Sequence, residues 1–308
     1  MSIRVTIGAT VVTVAAALAG FTEPALGAEV NAGPPAGSVV RGAGAMDRAE
    51  QVRVEQYWTV ERMANAVSAA DPATGRRSES NQESAKAGGA IAVQVPAHRF
   101  VGKVFFTMSG VDQVCSGAVT ESINLSVVTT AGHCVSQGAG AFATNFAFVP
   151  EYQDGARPWG TWTAKSLYTT VGWKNSGDLN VNVGFAVMNR NASQNELMAA
   201  VDGGLGIEFN RPRGQEYDVY GYADVLPYNG EKLWQCAGTA VDAKHGSTSI
   251  GIPCPMSGGA DGGPWLTRGW QKLNSVSSHR LSGDERQYGP YFGDAVKAVF
   301  DQAQWESV

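Results

Sequence analysis

Past Gly20 the chain has no apolar run long enough to cross a bilayer, so no spanning helix is expected after that point. It has no surplus of positive charge either. Its 23 Lys and Arg face 28 Asp and Glu, a net charge of −5, and no basic footprint for nucleic acid results. Phosphate-binding loops and dinucleotide fingerprints are missing. Gly203-Gly-Leu-Gly-Ile207 does not join a strand to a helix and reads as a turn. The four cysteines lack a CxxC spacing, which argues against zinc, so neither metal nor cofactor is expected. Charged residues are few, at 17% against 44% hydrophobic, a balance that supplies a buried core rather than global disorder. No internal repeat is visible.

What is present begins with a secretory signal over residues 1–28. Arg4 gives the positive start, Val5 to Gly20 the apolar run, and Ala25-Leu26-Gly27-Ala28 the small-residue cleavage site. Export is therefore expected, and with it oxidised cysteines. Four cysteines allow three connectivities. Cys115–Cys134 with Cys236–Cys254 closes the most modest loops. Residues 29–98 are rich in Ala, Gly, Ser, Glu and Gln, the texture of a propeptide or flexible leader. One helix is predicted inside it, Trp58 to Ala69, stopped by Asp71-Pro72. Arg76-Arg77 reads as a processing site or as two solvated arginines.

From Val101 the pattern becomes short β-branched and aromatic runs separated by Gly, Asn, Asp and Pro. The predicted strands are Val101–Met108, Gln113–Val119, Ser126–Thr130, Ala143–Val149, Thr161–Thr169, Val181–Met188, Tyr217–Tyr222, Glu231–Ala237, Gly262–Thr267, Lys272–Ser278 and Tyr288–Phe292. Asn229-Gly230 signals a hairpin turn. A closing helix has Asp294 as its cap and Val296, Val299, Phe300 and Ala303 on its apolar face.

Two motifs carry chemistry. Thr130-Ala131-Gly132-His133-Cys134 comes first, and Cys254-Pro-Met-Ser-Gly-Gly-Ala-Asp261-Gly-Gly-Pro-Trp265 comes later. They resemble the histidine motif and the Gly-x-Ser-Gly-Gly-Pro nucleophile loop of chymotrypsin-like serine proteases, in that family's chain order. Cys115-Ser116-Gly117 matches the segment before the histidine strand. Tyr57-Trp-Thr-Val-Glu-Arg-Met63 and Tyr288-Gly-Pro-Tyr-Phe292 are similar to secreted bacterial trypsin-like and glutamyl-endopeptidase-like precursors. The resemblance covers roughly Phe100 to Ala303. It implies an all-β fold of two six-stranded antiparallel β-barrels with a C-terminal helix, so that residues 99–308 form the protease domain. It also implies that the Cys115–Cys134 bridge pins the histidine loop.

The same resemblance assigns roles by position. His133 takes the place of the general base, whereas His98, His245 and His279 have no such context and read as surface residues. The orienting acid's place is held by asparagine, in Asn182-Val-Gly-Phe-Ala-Val-Met188. Asp178 cannot stand in for it, since four residues of extended chain span roughly 13 Å. The nucleophile's place is held by Asp261, and Ser257 precedes the turn. The N–H groups of Gly259 and Asp261 would form the oxyanion hole. The Asp261 carboxylate is expected within reach of His133, as an ion pair with a charged imidazole that fills the site. Pro255 stands where trypsin has an acid, so basic side chains are not the expected preference, and the Leu273–Ser278 strand is expected to line the cleft. The sequence therefore predicts a secreted peptidase homologue that binds a peptide or protein without cutting it. The alternative is an active secreted endopeptidase made as a zymogen, and a third reading is a purely structural two-barrel body.

Overall fold

A computed structural model of the chain describes residues 1–2, 39–73, 75, 91–256, 258–269, 271–281 and 284–308. Residues 3–28 of the expected signal segment, Arg76-Arg77 and Ser257 lie outside the described residues. Every described helix and strand lies within residues 34–308.

Six antiparallel strands close a barrel: Val101–Met108, Val111–Thr120, Val127–Ala131, Thr144–Pro150, Trp162–Thr170 and Val183–Met188. Closure comes from Trp162–Thr170, which pairs with Thr144–Pro150 on one side and Val183–Met188 on the other. The first strand, buried on both faces, shows why the sequence reads as a near-continuous apolar run. Val104, Phe106 and Met108 face the barrel core, while Val101 and Phe105 join an outer cluster with Trp58, Tyr152 and Tyr222.

The second half holds Glu216–Gly221, Trp234–Thr239, Pro264–Thr267 and Leu273–Val276 in one sheet, with Ile250–Pro253 and Arg286–Gly289 in another. The bridge between His279 and Tyr288 and the disulfide Cys236–Cys254 join the two sheets. Ile250–Pro253 was not predicted, its four residues being too few to show alternation. Asn229-Gly230 does not form the expected hairpin turn; it lies in a long connection in which Gly230, at φ +73, makes a bend.

The stretch expected to be a leader is partly built into the body. Val39–Ala43 pairs with Trp162–Thr170, and Val93–Gln94 pairs with Trp234–Thr239. The single predicted helix over Trp58–Ala69 is replaced by two, Arg48–Tyr57 capped by Asp47 and Val60–Asn65 capped by Thr59. The chain then leaves helical geometry at Ala66, because Val67–Ser68 gains sheet partners instead. At the C-terminus, Asp294–Trp305 is helical and buries the four predicted residues. Gly293, not Asp294, is its cap; the Asp294 carboxylate accepts from Asn210 Nδ2 at 2.6 Å.

His279 corrects another expectation. It is 1% exposed and stacked on Tyr288, whereas His98 and His245 are exposed. Burial lowers the His279 imidazole from its ordinary 6.5 to about 4, against a smaller opposing pull from Asp261. A depressed basic group adds stability above its unfolded pKa, and that stability is lost as pH falls towards the folded value. Between pH 6.5 and 4 the loss amounts to about 3 kcal/mol at 1.36 kcal/mol per unit. His279→Phe is expected to remove that part of the fall, read as the wild-type-minus-variant difference in unfolding free energy at pH 7 and pH 4; equal falls in both would refute the assignment. Trp58, 1% exposed with Nε1 donating to Asn145 O at 2.6 Å, anchors the leader helices. Trp58→Ala is expected to lower the unfolding free energy of the whole body by about 3–5 kcal/mol. A variant that loses leader structure without moving the main transition would contradict this.

Candidate active site

The histidine turn forms where Val127–Ala131 ends. Gly132–Val135 makes one buried helical turn, tied by Cys115–Cys134 to the strand Val111–Thr120. Glycine is needed at 132, since a Cβ there would lie 2.7 Å from Asn182 Oδ1 and 2.8 Å from Trp173. Both predicted disulfides are present. Cys115, His133 and Cys134 bring their side-chain atoms within 4.8 Å, but both sulfurs are bonded to each other and offer no thiolate to a metal.

The second loop docks on the first through backbone contact. Gly262 has φ +81, and a Cβ there would meet Thr130 Oγ1 at 2.1 Å. Ser116 holds the loop in place. Its N–H donates to Asp261 O at 2.7 Å, and its hydroxyl donates to Gly259 O at 2.8 Å and accepts from Tyr222 N at 2.9 Å. The Asp261 carboxylate accordingly reaches His133, with Oδ2 3.4 Å from Nε2. Nε2 makes no hydrogen bond among the described residues. The backbone N–H groups of Gly259 and Asp261 likewise have no acceptor among the described residues.

Asn182 is fully buried at the start of Val183–Met188. Its Oδ1 accepts from the His133 backbone N–H at 2.9 Å. Its Nδ2 lies 3.1 Å from His133 Nδ1 and donates to Ser278 Oγ at 2.8 Å. A backbone N–H can only donate, so it fixes which end of the amide is oxygen. The NH₂ end must then face Nδ1, which presents its lone pair. The ring proton is thereby assigned to Nε2, the atom turned towards Asp261. A charged imidazole would set N–H against NH₂ at Nδ1, so these bonds do not support the ion pair expected from sequence. Asp178 is engaged locally, accepting from Asn180 N at 3.0 Å and Nδ2 at 2.9 Å.

Four further residues reach the site with no motif to announce them. Ser278, at the end of the strand expected to line the cleft, closes the Asn182 network. Arg280 is half-buried and donates through Nη2 to Cys254 O at 2.7 Å and Met256 O at 2.5 Å. Asp71 accepts from Arg280 N at 3.0 Å; burial, and next the Asp261 charge, hold its carboxyl above the ordinary range. Asp224 is raised chiefly by burial, with the Ser68 hydroxyl bond opposing. A cavity of about 490 Å³ remains beside His133, lined among others by Asp71, Pro72, Met108, Gln137 and Trp173.

Comparison with protein-family models and with curated proteins finds no match. Solved structures do match. The protease Anisep from Arthrobacter nicotinovorans is 40% identical with a TM-score of 0.67, covering 70% of this chain and 100% of that one. A thermostable serine protease, AL20, from an extremophilic microorganism is 39% identical with a TM-score of 0.65, covering 67% of this chain and 97% of that one. A Glu endopeptidase shares the fold, at 17% identity, a TM-score of 0.58, and 71% and 99% coverage. With two paired disulfides, a closed barrel and this likeness over nearly the full length of those relatives, the chain belongs to the bacterial chymotrypsin-like serine proteases.

Proposed function

We propose that this chain is a secreted peptidase homologue that keeps a peptide-binding cleft and has lost acyl transfer. Acyl transfer needs a hydroxyl to attack, an imidazole able to take its proton, and donors for the resulting oxyanion. The carrying observation is the Asn182 amide, whose NH₂ group faces His133 Nδ1 and leaves the ring proton on Nε2. The atom that should receive a proton from a nucleophile therefore already has one. Asparagine in the acid's place lowers turnover by ~10⁴ in a related triad.

Asp261 removes the nucleophile as well. A carboxylate attacking an amide would form an anhydride that reverses faster than an amine departs. Loss of the serine alone costs on the order of 10⁶ in turnover, about 8 kcal/mol. The two losses do not add, because the groups act as one unit. What persists is a shaped cleft, with the Gly259 and Asp261 N–H groups placed to receive a carbonyl. Two disulfides and the N-terminal pattern support an extracellular setting, where peptides and proteins are the ligands such a cleft meets.

A fluorophosphonate probe, small enough to enter beside His133, is the direct test. The wild-type chain is expected to stay unlabelled, and labelling of any serine would overturn the reading. Asp261→Ser alone is expected to label slowly. Adding Asn182→Asp is expected to raise that rate by roughly 10⁴, since the imidazole then turns its lone pair to the new hydroxyl. Equal rates in the single and double variants would show that Asn182 does not set the chemistry.

A further inference from the structure

The segment Val67–Pro72 crosses the cleft. Val67 and Ser68 pair in parallel with Gln113 and Val114, and Ala69 N donates to Val114 O at 3.2 Å. The strand Val111–Thr120 has room for this, because its partner Val127–Ala131 covers only Ala118–Thr120. The edge at Gln113–Val114 is otherwise open, and an open edge is a template for an added strand. On the far side of the cleft the Ser68 hydroxyl donates to Asp224 Oδ1, and the Asp71 carboxylate accepts the Arg280 backbone N–H. Between these anchors Asp71 and Pro72 line the same cavity as His133. The segment thus touches both halves of the body, and each of these polar contacts is one an extended peptide can make.

We propose that this path is the cleft's ligand site, with Val67–Asp71 as its resident ligand. The ligand class it defines is an extended peptide carrying a hydrogen-bond acceptor three residues beyond a serine. Such a peptide adds as a parallel strand at Gln113–Val114 and, three residues beyond its serine, sets an aspartate on the Arg280 N–H. Small side chains are required where Ser68 sits: a Cβ on Gly258 would lie 2.7 Å from the Ser68 hydroxyl, so the loop and the ligand are already close. A partner peptide binds by displacing the resident segment, and its apparent affinity is lowered by the fraction of time the segment is docked. The proposal rests on reading the cleft as peptide-binding in a chain without acyl transfer.

The test uses the full chain and a fluorescein-labelled peptide of residues 65–73, NAVSAADPA, followed by anisotropy. Asp71→Ala weakens the resident segment and leaves the site residues in place. It is expected to bind the peptide about tenfold more tightly than wild type, the value of one lost hydrogen bond. A peptide with its aspartate replaced by alanine is expected to lose that gain, and so is one with leucine for its serine. Equal affinity of wild type and variant, or of the peptide with and without its aspartate, would overturn the proposal. A second measurement needs no variant. Excess peptide is expected to speed hydrogen exchange at the chain's own Ala69 amide, and an unchanged rate would count equally against displacement. Cleavage of the bound peptide would end the reading of a non-cutting site while leaving the docking intact. Absence of binding would end the docking and leave that reading standing.

Discussion

The hydrogen bond from the His133 backbone N–H to Asn182 Oδ1, 2.9 Å long and buried, orients the groups around the imidazole. An amide differs from a carboxylate at this point in one way that matters. Both can accept from the backbone, but the amide's other end is a donor, and it is aimed at Nδ1. Ser278 Oγ accepts from that end at 2.8 Å, and the His133 N–H keeps the amide from turning over, since that would set donor against donor. The imidazole is held in the tautomer opposite to that of a working site. Asp261 is then an acceptor placed 3.4 Å from a ring N–H.

The scaffold around this inverted site has not relaxed. Gly132 and Gly262 still permit backbone approach that any side chain would block, Ser116 still holds the loop, and Cys115–Cys134 still fixes the turn. Close packing of that kind is set by the fold and is indifferent to whether position 261 holds a hydroxyl or a carboxylate. That is why the architecture and the chemistry can part company in one chain. Two half-buried carboxylates lie nearby. Asp71, within the segment that crosses the cleft, and Asp224, which accepts from that segment's Ser68, both sit in surroundings that disfavour their charge.

Much of the closed barrel was legible because each strand is a β-branched or aromatic run bounded by turn residues, and most predicted strands lie within a few residues of those found. The histidine and Asp261 loops were legible because their glycines and cysteine are demanded by local backbone geometry. What was hidden depends on chain returning from far away. Ser68 meets Asp224 across 156 residues and Asp71 meets Arg280 across 209, with no local pattern to record either. His279 looked like surface because nothing beside it in sequence shows that Tyr288 will stack on it. The helix expected over Trp58–Ala69 was misread because Val67 continues the helical spacing of Val60, Met63 and Ala64, and only the open edge at Gln113–Val114 draws it into a sheet. The tautomer at His133 was hidden for a different reason: the sequence names Asn182 but not which end of its amide the backbone holds.

The most direct measurement is the ¹⁵N spectrum of the His133 side chain in the labelled chain at neutral pH. A protonated Nε2 and an unprotonated Nδ1 are expected, with the two exchanging roles in Asn182→Asp. A proton found on Nδ1 in the wild-type chain would mean that the amide does not govern the ring, and would contradict the central claim.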